Sequence, residues 1–235
     1  MKPYSGKVNI LHLIEGARAA RGLTVIIDVF RAFSLEPYLY DMGVKEVRPV
    51  GSIEDTFALR EKIPGSVLIG ERKGKKCEGF DFGNSPSTVL PEAVKGRVAL
   101  HTTSAGTQGI VNAAGADEII TGSLVNAAAI AEYIIKKQPE EVSLVAMGNR
   151  GTAPAAEDEL CAEYIKSLLE GCPLPDIEQR IAALQFVGGQ HFFDRDNQEV
   201  FPEQDFWMCI QYNKFPFVLQ VQRDEFGFVS RKCNV

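Results

Sequence analysis

Six short apolar runs, interleaved with amphipathic stretches, govern what residues 23–170 can become: "LTVIIDVFR", "VKEVRPV", "SVLIGER", "GRVALHTTS", "DEIITGS" and "EVSLVAMGN". Several place β-branched and apolar residues at consecutive positions, which is how a strand covered on both faces reads. Between them, "SIEDTFALREKI" opens on Ser52 with Asp55 three residues on, close to a capping box. "SLVNAAAIAEYIIKKQ" ends in lysines that suit a helix C-terminus, and "PAAEDELCAEYIKSLLEG" ends at Gly171, a C-cap residue. This alternation predicts an α/β fold, a three-layer α/β/α sandwich with a largely parallel or mixed central sheet. After residue 185 the pattern changes. "QFVGGQHFFDRDNQEVFPEQDFWMCIQYNKFPFVLQV" is aromatic and has little helical period. It predicts a β-rich C-terminal extension, or a cover over one sheet edge, over 185–235 of a single domain spanning 1–235.

Charge and cysteine usage narrow the functional class. The net charge of −6 argues against a nucleic-acid partner, while a few local cations still suffice to attract a small anion. Cys77, Cys161, Cys172, Cys209 and Cys233 are odd in number, scattered and without a CxxC pair. That excludes a disulfide framework and a structural zinc site, and implies a reducing, cytoplasmic setting. The N-terminal "MKPYSGKVNILHLIEG" has an apolar stretch too short for a signal peptide or a membrane span. The expected partner is a small molecule, with neither nucleic acid nor membrane; a homo-oligomer is compatible with all of this.

Nearly every strand candidate ends in polar residues, and ligands of open α/β sheets bind outside the carboxyl ends of strands. Asp28 and Arg31 close the first run: a carboxylate there can hold a cation and a guanidinium can clamp an oxyanion, or the two can simply close a strand–helix corner. Thr102, Thr103 and Ser104 precede Gly106, Thr107 and Gly109 at an expected helix start. That reads either as an anion cradle of free N–H groups or as an ordinary Ser/Thr N-cap. Glu157 and Asp158 begin another helix, where the dipole favours acids and where Mg²⁺ ligands can also sit. His12, His101 and His191 form no metal-spaced set, and Cys161 reads as helix packing.

Taken in order, "IDVFRA", "GERKG", "EGFDFGNSP", "TTSAGT", "TGSLVNAAAIA" and "AMGNRGTAPAAEDELCAEYI" closely resemble the 2-phosphosulfolactate phosphatase family. The resemblance covers residues 23–170 strongly and the tail, with "FPEQDFWMCI", weakly. It implies an α/β/α phosphatase that uses Mg²⁺ to remove phosphate from 2-phospho-3-sulfolactate in coenzyme M synthesis. Asp28 and Arg31 match that family's acid and arginine after the first strand. Glu71, Gly79, Asp81, Asn84, Ser85 and Pro86 match its central loop. Thr102, Thr103, Gly106 and Thr107 match its Thr-rich turn, Ser123 and Asn126 its Gly-Ser/Asn segment, and Glu157 and Asp158 its acidic helix start. Phe33 stands where the family usually has Thr, and Ala105 where it commonly has Asn. The haloacid-dehalogenase-like analogy does not by itself make Asp28 a nucleophile, because position 30 is Phe rather than a second Asp, and attack by water and a covalent aspartyl intermediate both stay open.

The combined expectation is a Mg²⁺-dependent phosphomonoesterase. Asp28, Arg31, Asp81, Thr102 and Thr103 are its expected catalytic residues. Arg72, Lys73, Asn84, Ser85, Ser104, Gly106, Thr107 and Asn126 are expected to bind a small phosphorylated or sulfonated acid, with Arg72, Lys73 or Lys75 gripping its second anionic group. Asp28, Asp81, Glu157 and Asp158 are the expected metal ligands. The rival readings are a phosphatase of different specificity, a non-catalytic binder of such acids, and an interaction subunit using the aromatic tail.

Overall fold

The structure is a computed structural model that describes residues 3–235. All six apolar runs are strands. In chain order the elements are β1 (Lys7–His12), α1 (Leu13–Ala19), β2 (Gly22–Ile27), α2 (Ala32–Asp41), β3 (Glu46–Pro49), α3 (Ile53–Lys62), β4 (Val67–Arg72), β5 (Lys75–Lys76), α4 (Pro91–Val94), β6 (Val98–Thr102), α5 (Gly106–Asn112), β7 (Ala116–Gly122), α6 (Ala127–Lys137), β8 (Glu141–Ala146), α7 (Ala156–Leu169), α8 (Ile177–Ala183), α9 (Glu203–Cys209), β9 (Phe217–Asp224) and β10 (Gly227–Asn234). The expected caps form: the Ser52 side chain accepts from Asp55 N–H at 3.0 Å, and Gly171, just beyond α7, takes φ 71°.

Consecutive apolar residues in β2 are explained by the two layers that flank it. Leu23, Val25 and Ile27 face α6 and α7 through Ile130, Ile134, Leu160 and Ile165. Ile26 packs on the other side with Val145, Met147, Ala17 of α1 and Ile110 of α5. In β4, Val67 and Ile69 meet Leu35 and Leu39 of α2, whereas Leu68 meets Ile53 and Leu59 of α3. Helices thus cover both faces, as the alternation predicts.

The tail ends in two strands, as the β-rich alternative expects, but it is not an edge cover. The sheet order is β1-β8-β2-β7-β9-β10-β3-β6-β4-β5, so the β9–β10 hairpin lies in mid-sheet. Phe217, Val218 and Leu219 are buried, and a strand apolar on consecutive positions belongs inside a sheet. β1, β8, β2 and β7 form one parallel group, and β3, β6 and β4 another. Three successive antiparallel pairings join β7 to β9, β10 and β3. The two groups therefore run in opposite senses. Between them α2 is buried from Ala32 to Leu39 and touches α5, β7 and α9, the all-round burial of a central helix. The tail's aromatics are used internally: Phe192, Phe206, Phe215 and Phe217 are all buried.

All five cysteines are free, and burial pushes the Cys161 thiol well up, so it is packing as expected. Among the described residues, no helix is long and apolar enough to cross a membrane.

Candidate active site

A pocket of about 530 Å³ opens where strand ends of both parallel groups meet. Asp28 follows β2, Gly148 and Asn149 follow β8, Glu71 ends β4, and Ser104 follows β6. The polar ends converge as expected, although not as the edge of one open parallel sheet. The end of β7 does not join them: Ser123 instead meets Ser34 Oγ, and its N–H donates to Asn126 Oδ1. That bond closes a capping box, which turns Asn126 away from the pocket and makes it a brace.

Three carboxylates sit at the base. The apolar run before Asp28 forces it to emerge buried, and its Oδ1 accepts from Ala32 N–H at 3.3 Å. Burial pushes its carboxyl up to about 6; the charge of Glu71 adds to this, and backbone N–H groups oppose it. Glu157, in the first turn of α7, is pushed up to about 7 by burial and then by the charge of Asp28. Its Oε2 is buried without a hydrogen-bond partner among the described residues. Asp158 is also pushed up, by burial and by the charges of Asp28 and Glu157. Both its oxygens are engaged, accepting from Val29 N–H at 2.7 Å and Gly148 N–H at 2.8 Å. It therefore ties the ends of β2 and β8 to α7.

Glu71 links the second group of strands. Its carboxylate accepts from Ser104 N–H at 2.6 Å and Gly74 N–H at 2.7 Å. The Thr-rich turn closes on itself instead of forming a cradle. Thr103 N–H donates to Thr107 Oγ1 at 3.0 Å and Thr107 N–H to Thr103 Oγ1 at 3.2 Å. Thr102 Oγ1 accepts from Arg72 at 3.0 Å. Only Ser104 and Ala105 of this turn line the pocket; Gly106 is packed against Asp28 Oδ2, where a Cβ would come within 2.9 Å.

Arg31 is not a free anion clamp. One of its terminal nitrogens donates to Asp205 at 2.6 Å and to Val200 O at 2.9 Å, the other to Gly74 O at 3.2 Å. Its guanidinium lies over Phe201 and Phe192. Asp205 is fully buried and also accepts from Ser85 Oγ, Ser87 N–H and Ser87 Oγ at 2.9, 3.0 and 2.6 Å. Ser85 thus anchors the loop and does not face the pocket. Asp81 is displaced further: it accepts from Leu68 N–H at 2.8 Å and lies 3.7 Å from Arg60, outside the pocket. It cannot share a cation with Asp28. Asn84 does line the pocket, with Oδ1 buried and unpartnered among the described residues, and Lys73 lines it from the β4–β5 turn. Arg72 is tied to Glu71 O and Thr102, and Lys75 sits in β5 away from the pocket.

The sequence does not single out Asp205, Phe201 or Arg150 and raises His191 only as a metal ligand; Phe201, Arg150 and His191 line the pocket. Burial and then the charge of Arg31 hold the His191 imidazole below its usual range. The two departures noted above also separate: Phe33 is core, and Ala105 is on the pocket wall.

Among the described residues, no three His, Cys, Asp or Glu side chains form a ready metal cage. Asp28 and Glu157 are the two base carboxylates not fully engaged by hydrogen bonds, and so the residues that could hold a cation. Hard oxygen donors in that number suit Mg²⁺, which commonly takes one or two carboxylates and completes its shell with water and phosphate oxygens.

The family model of 2-phosphosulpholactate phosphatase matches residues 8–224. The chain belongs to this family of phosphatases. It is 29% identical over 210 residues to the "Probable 2-phosphosulfolactate phosphatase" of Bacillus subtilis (strain 168), covering 88% of this chain and 90% of that one. A protein of the same description from Clostridium tetani (strain Massachusetts / E88) is 34% identical over 183 residues, 76% of this chain and 75% of its own. One from Caldanaerobacter subterraneus subsp. tengcongensis is 40% identical over 152 residues, an alignment spanning 62% of each. The matched family region reaches Asp224 and so takes in Asp205 and most of the tail, beyond the motifs that carry the resemblance.

Proposed function

We propose that this phosphatase is Mg²⁺-dependent and hydrolyses a small phosphorylated acid, 2-phospho-3-sulfolactate being the substrate that its relatives' names indicate. The observation that carries the reading is the base of the pocket. Asp28 and Glu157 are both buried there, both are pushed up by burial, the charge of Asp28 raises Glu157 further, and Glu157 Oε2 has no hydrogen-bond partner among the described residues. Buried like charges of this kind are stable only when protonated or when a cation lies between them.

Asp28 and Glu157 would hold the cation, and Asp158 fixes both by pinning the ends of β2 and β8. When bound, Mg²⁺ supplies charge neutralisation at phosphoryl oxygens and acidifies a coordinated water. The chain's own contribution is positioning. Asn84 lines the pocket with its Oδ1 acceptor buried and unpartnered among the described residues, and Glu71 holds the Ser104 turn against the β4 end. His191, neutral at neutral pH, can accept a proton from a water in the pocket. Phosphoryl transfer needs little more from a protein than this positioning and charge stabilisation.

The test is phosphate release from 2-phospho-3-sulfolactate and a panel of other phosphorylated hydroxyacids, with Mg²⁺ and with EDTA. Turnover that EDTA abolishes and Mg²⁺ restores is expected. Binding of these acids without hydrolysis of any would make the chain a binder and sink the proposal.

A further inference from the structure

Two turns that line the pocket have the same design. Arg72-Lys73-Gly74-Lys75 joins β4 to β5, with Arg72 paired to Lys75. Asn149-Arg150-Gly151-Thr152 follows β8 and is closed by Thr152 N–H donating to Asn149 O at 3.1 Å. Lys73 and Gly74 have φ 58° and 82°; Arg150 and Gly151 have φ 55° and 71°. Positive φ at both central residues is the type I′ pattern, whose first position favours Asn, Asp or Gly. Here each first position carries a long cation in a conformation that L-residues rarely adopt, and such strain persists mainly where function uses it.

Both side chains are exposed and both line the pocket. Among the described residues neither has an ion-pair or side-chain hydrogen-bond partner; Lys73 engages only through its backbone N–H, to Ser104 Oγ at 3.4 Å. The nearby arginines differ, since Arg31 is bound to Asp205 and Arg72 to Thr102. The cations come from β4 and β8, one from each parallel group, above a base of Asp28, Glu157 and Asp158.

We infer that Lys73 and Arg150 form a two-sided clamp for the non-phosphate end of the substrate, so that the enzyme selects phosphate esters carrying further oxyanions, carboxylate or sulfonate. The inference rests on the phosphatase reading and adds its specificity. The base takes the phosphoryl group with its cation, and the two turns grip the rest.

The experiment compares kcat/KM for three esters: 2-phospho-3-sulfolactate with two further anions, 2-phosphoglycerate with one, and glycerol 2-phosphate with none. Lys73→Asn and Arg150→Asn are the variants of choice, because Asn tolerates the left-handed backbone and preserves the turns. Each is expected to lower the preference for the sulfonated ester over glycerol 2-phosphate by about tenfold, the scale of one charged hydrogen bond, and the pair by more. Lys73→Arg and Arg150→Lys are expected to keep most of it. The drop for 2-phosphoglycerate assigns the carboxylate to one turn. Equal losses on all three esters, or an unchanged preference, overturn the clamp. Should the wild type hydrolyse none of them, calorimetric titration with 3-sulfolactate decides separately: affinity lost in the double variant upholds the clamp while the phosphatase reading falls, and equal affinity overturns the clamp.

Discussion

Glu157 Oε2 lies against the backbone of Gly188, where a Cβ would approach it to 2.7 Å and where φ is 97°. Both the space and the backbone therefore require glycine. Gly188→Ala is expected to destabilise the fold by about 1–3 kcal/mol, measured by urea denaturation, and to lower turnover by moving the carboxylate. The buried acids also set a pH dependence for the metal-free protein. Asp28 and Glu157 have folded values of about 6 and 7, above their ordinary values of 3.8 and 4.5. The folded chain then binds more protons than the unfolded one in that window, so stability falls as pH rises from roughly 4 to 7. Either carboxyl alone corresponds to on the order of 3 kcal/mol. Denaturation midpoints without metal should drop between pH 5 and pH 8, and Glu157→Gln should flatten that drop. A midpoint that rises over this range, or the same slope in the variant, would contradict the buried-pair account. The acids themselves were legible, since each is an acid at a strand end or helix start. What the sequence did not show is that Asp158 has both oxygens engaged by backbone, because those donors lie on two other elements.

Helix α9 acts on the pocket from a distance by locking two other elements. Asp205 joins Arg31, at the start of α2, to Ser85 and Ser87 of the loop before α4. Removing one partner of a buried ion pair leaves the other charge unmatched, which costs about 3–5 kcal/mol. Asp205→Ala should lose stability on that scale in urea denaturation, well beyond the loss in Ser87→Ala, which leaves the ion pair intact. The stretch "CEGFDFGNSPS" becomes intelligible through this helix: Asn84 reaches the pocket, Ser85 and Ser87 anchor, and Asp81 holds Leu68 N–H on the outer side. Asp81→Asn is accordingly expected to leave turnover within about twofold, as for a surface position away from the chemistry. A loss as large as that of Asp28→Asn in a phosphate-release assay would return Asp81 to the site. From sequence alone, Asp205 is a first-turn acid like any other, favoured by the helix dipole. Its partners are 120 and 174 residues away, and no local pattern encodes them.

At the scale of the whole molecule, the strands were legible and their order was not. Six apolar runs specify six buried strands through local composition, but which strand neighbours which depends on edges that only the finished sheet reveals. The β9–β10 hairpin decides this. Its outer contacts are short, Ile119–Thr121 against Val221–Leu219 on one side and Ser230 against Val47 on the other. Side chains reinforce the second joint: Arg48 grips Asp224 through two bonds of 2.8 and 2.7 Å, the Tyr40 hydroxyl meets Ser230 O, and Ser230 Oγ donates to Glu36 at 3.2 Å. A chain ending at residue 215 would leave β7 and β3 with open edges and would uncover Tyr38 and Val125, which are buried against Phe217 and Leu219 of the lost hairpin. That deletion should therefore remove the cooperative unfolding transition and produce aggregates in sedimentation, even though every residue lining the pocket is retained. A tail serving as a separate interaction arm would give the opposite result, a folded and active remainder. The hairpin's role is thus to hold the base of the pocket, from one group, opposite the Glu71 and Lys73 wall, from the other, and activity should disappear together with the transition.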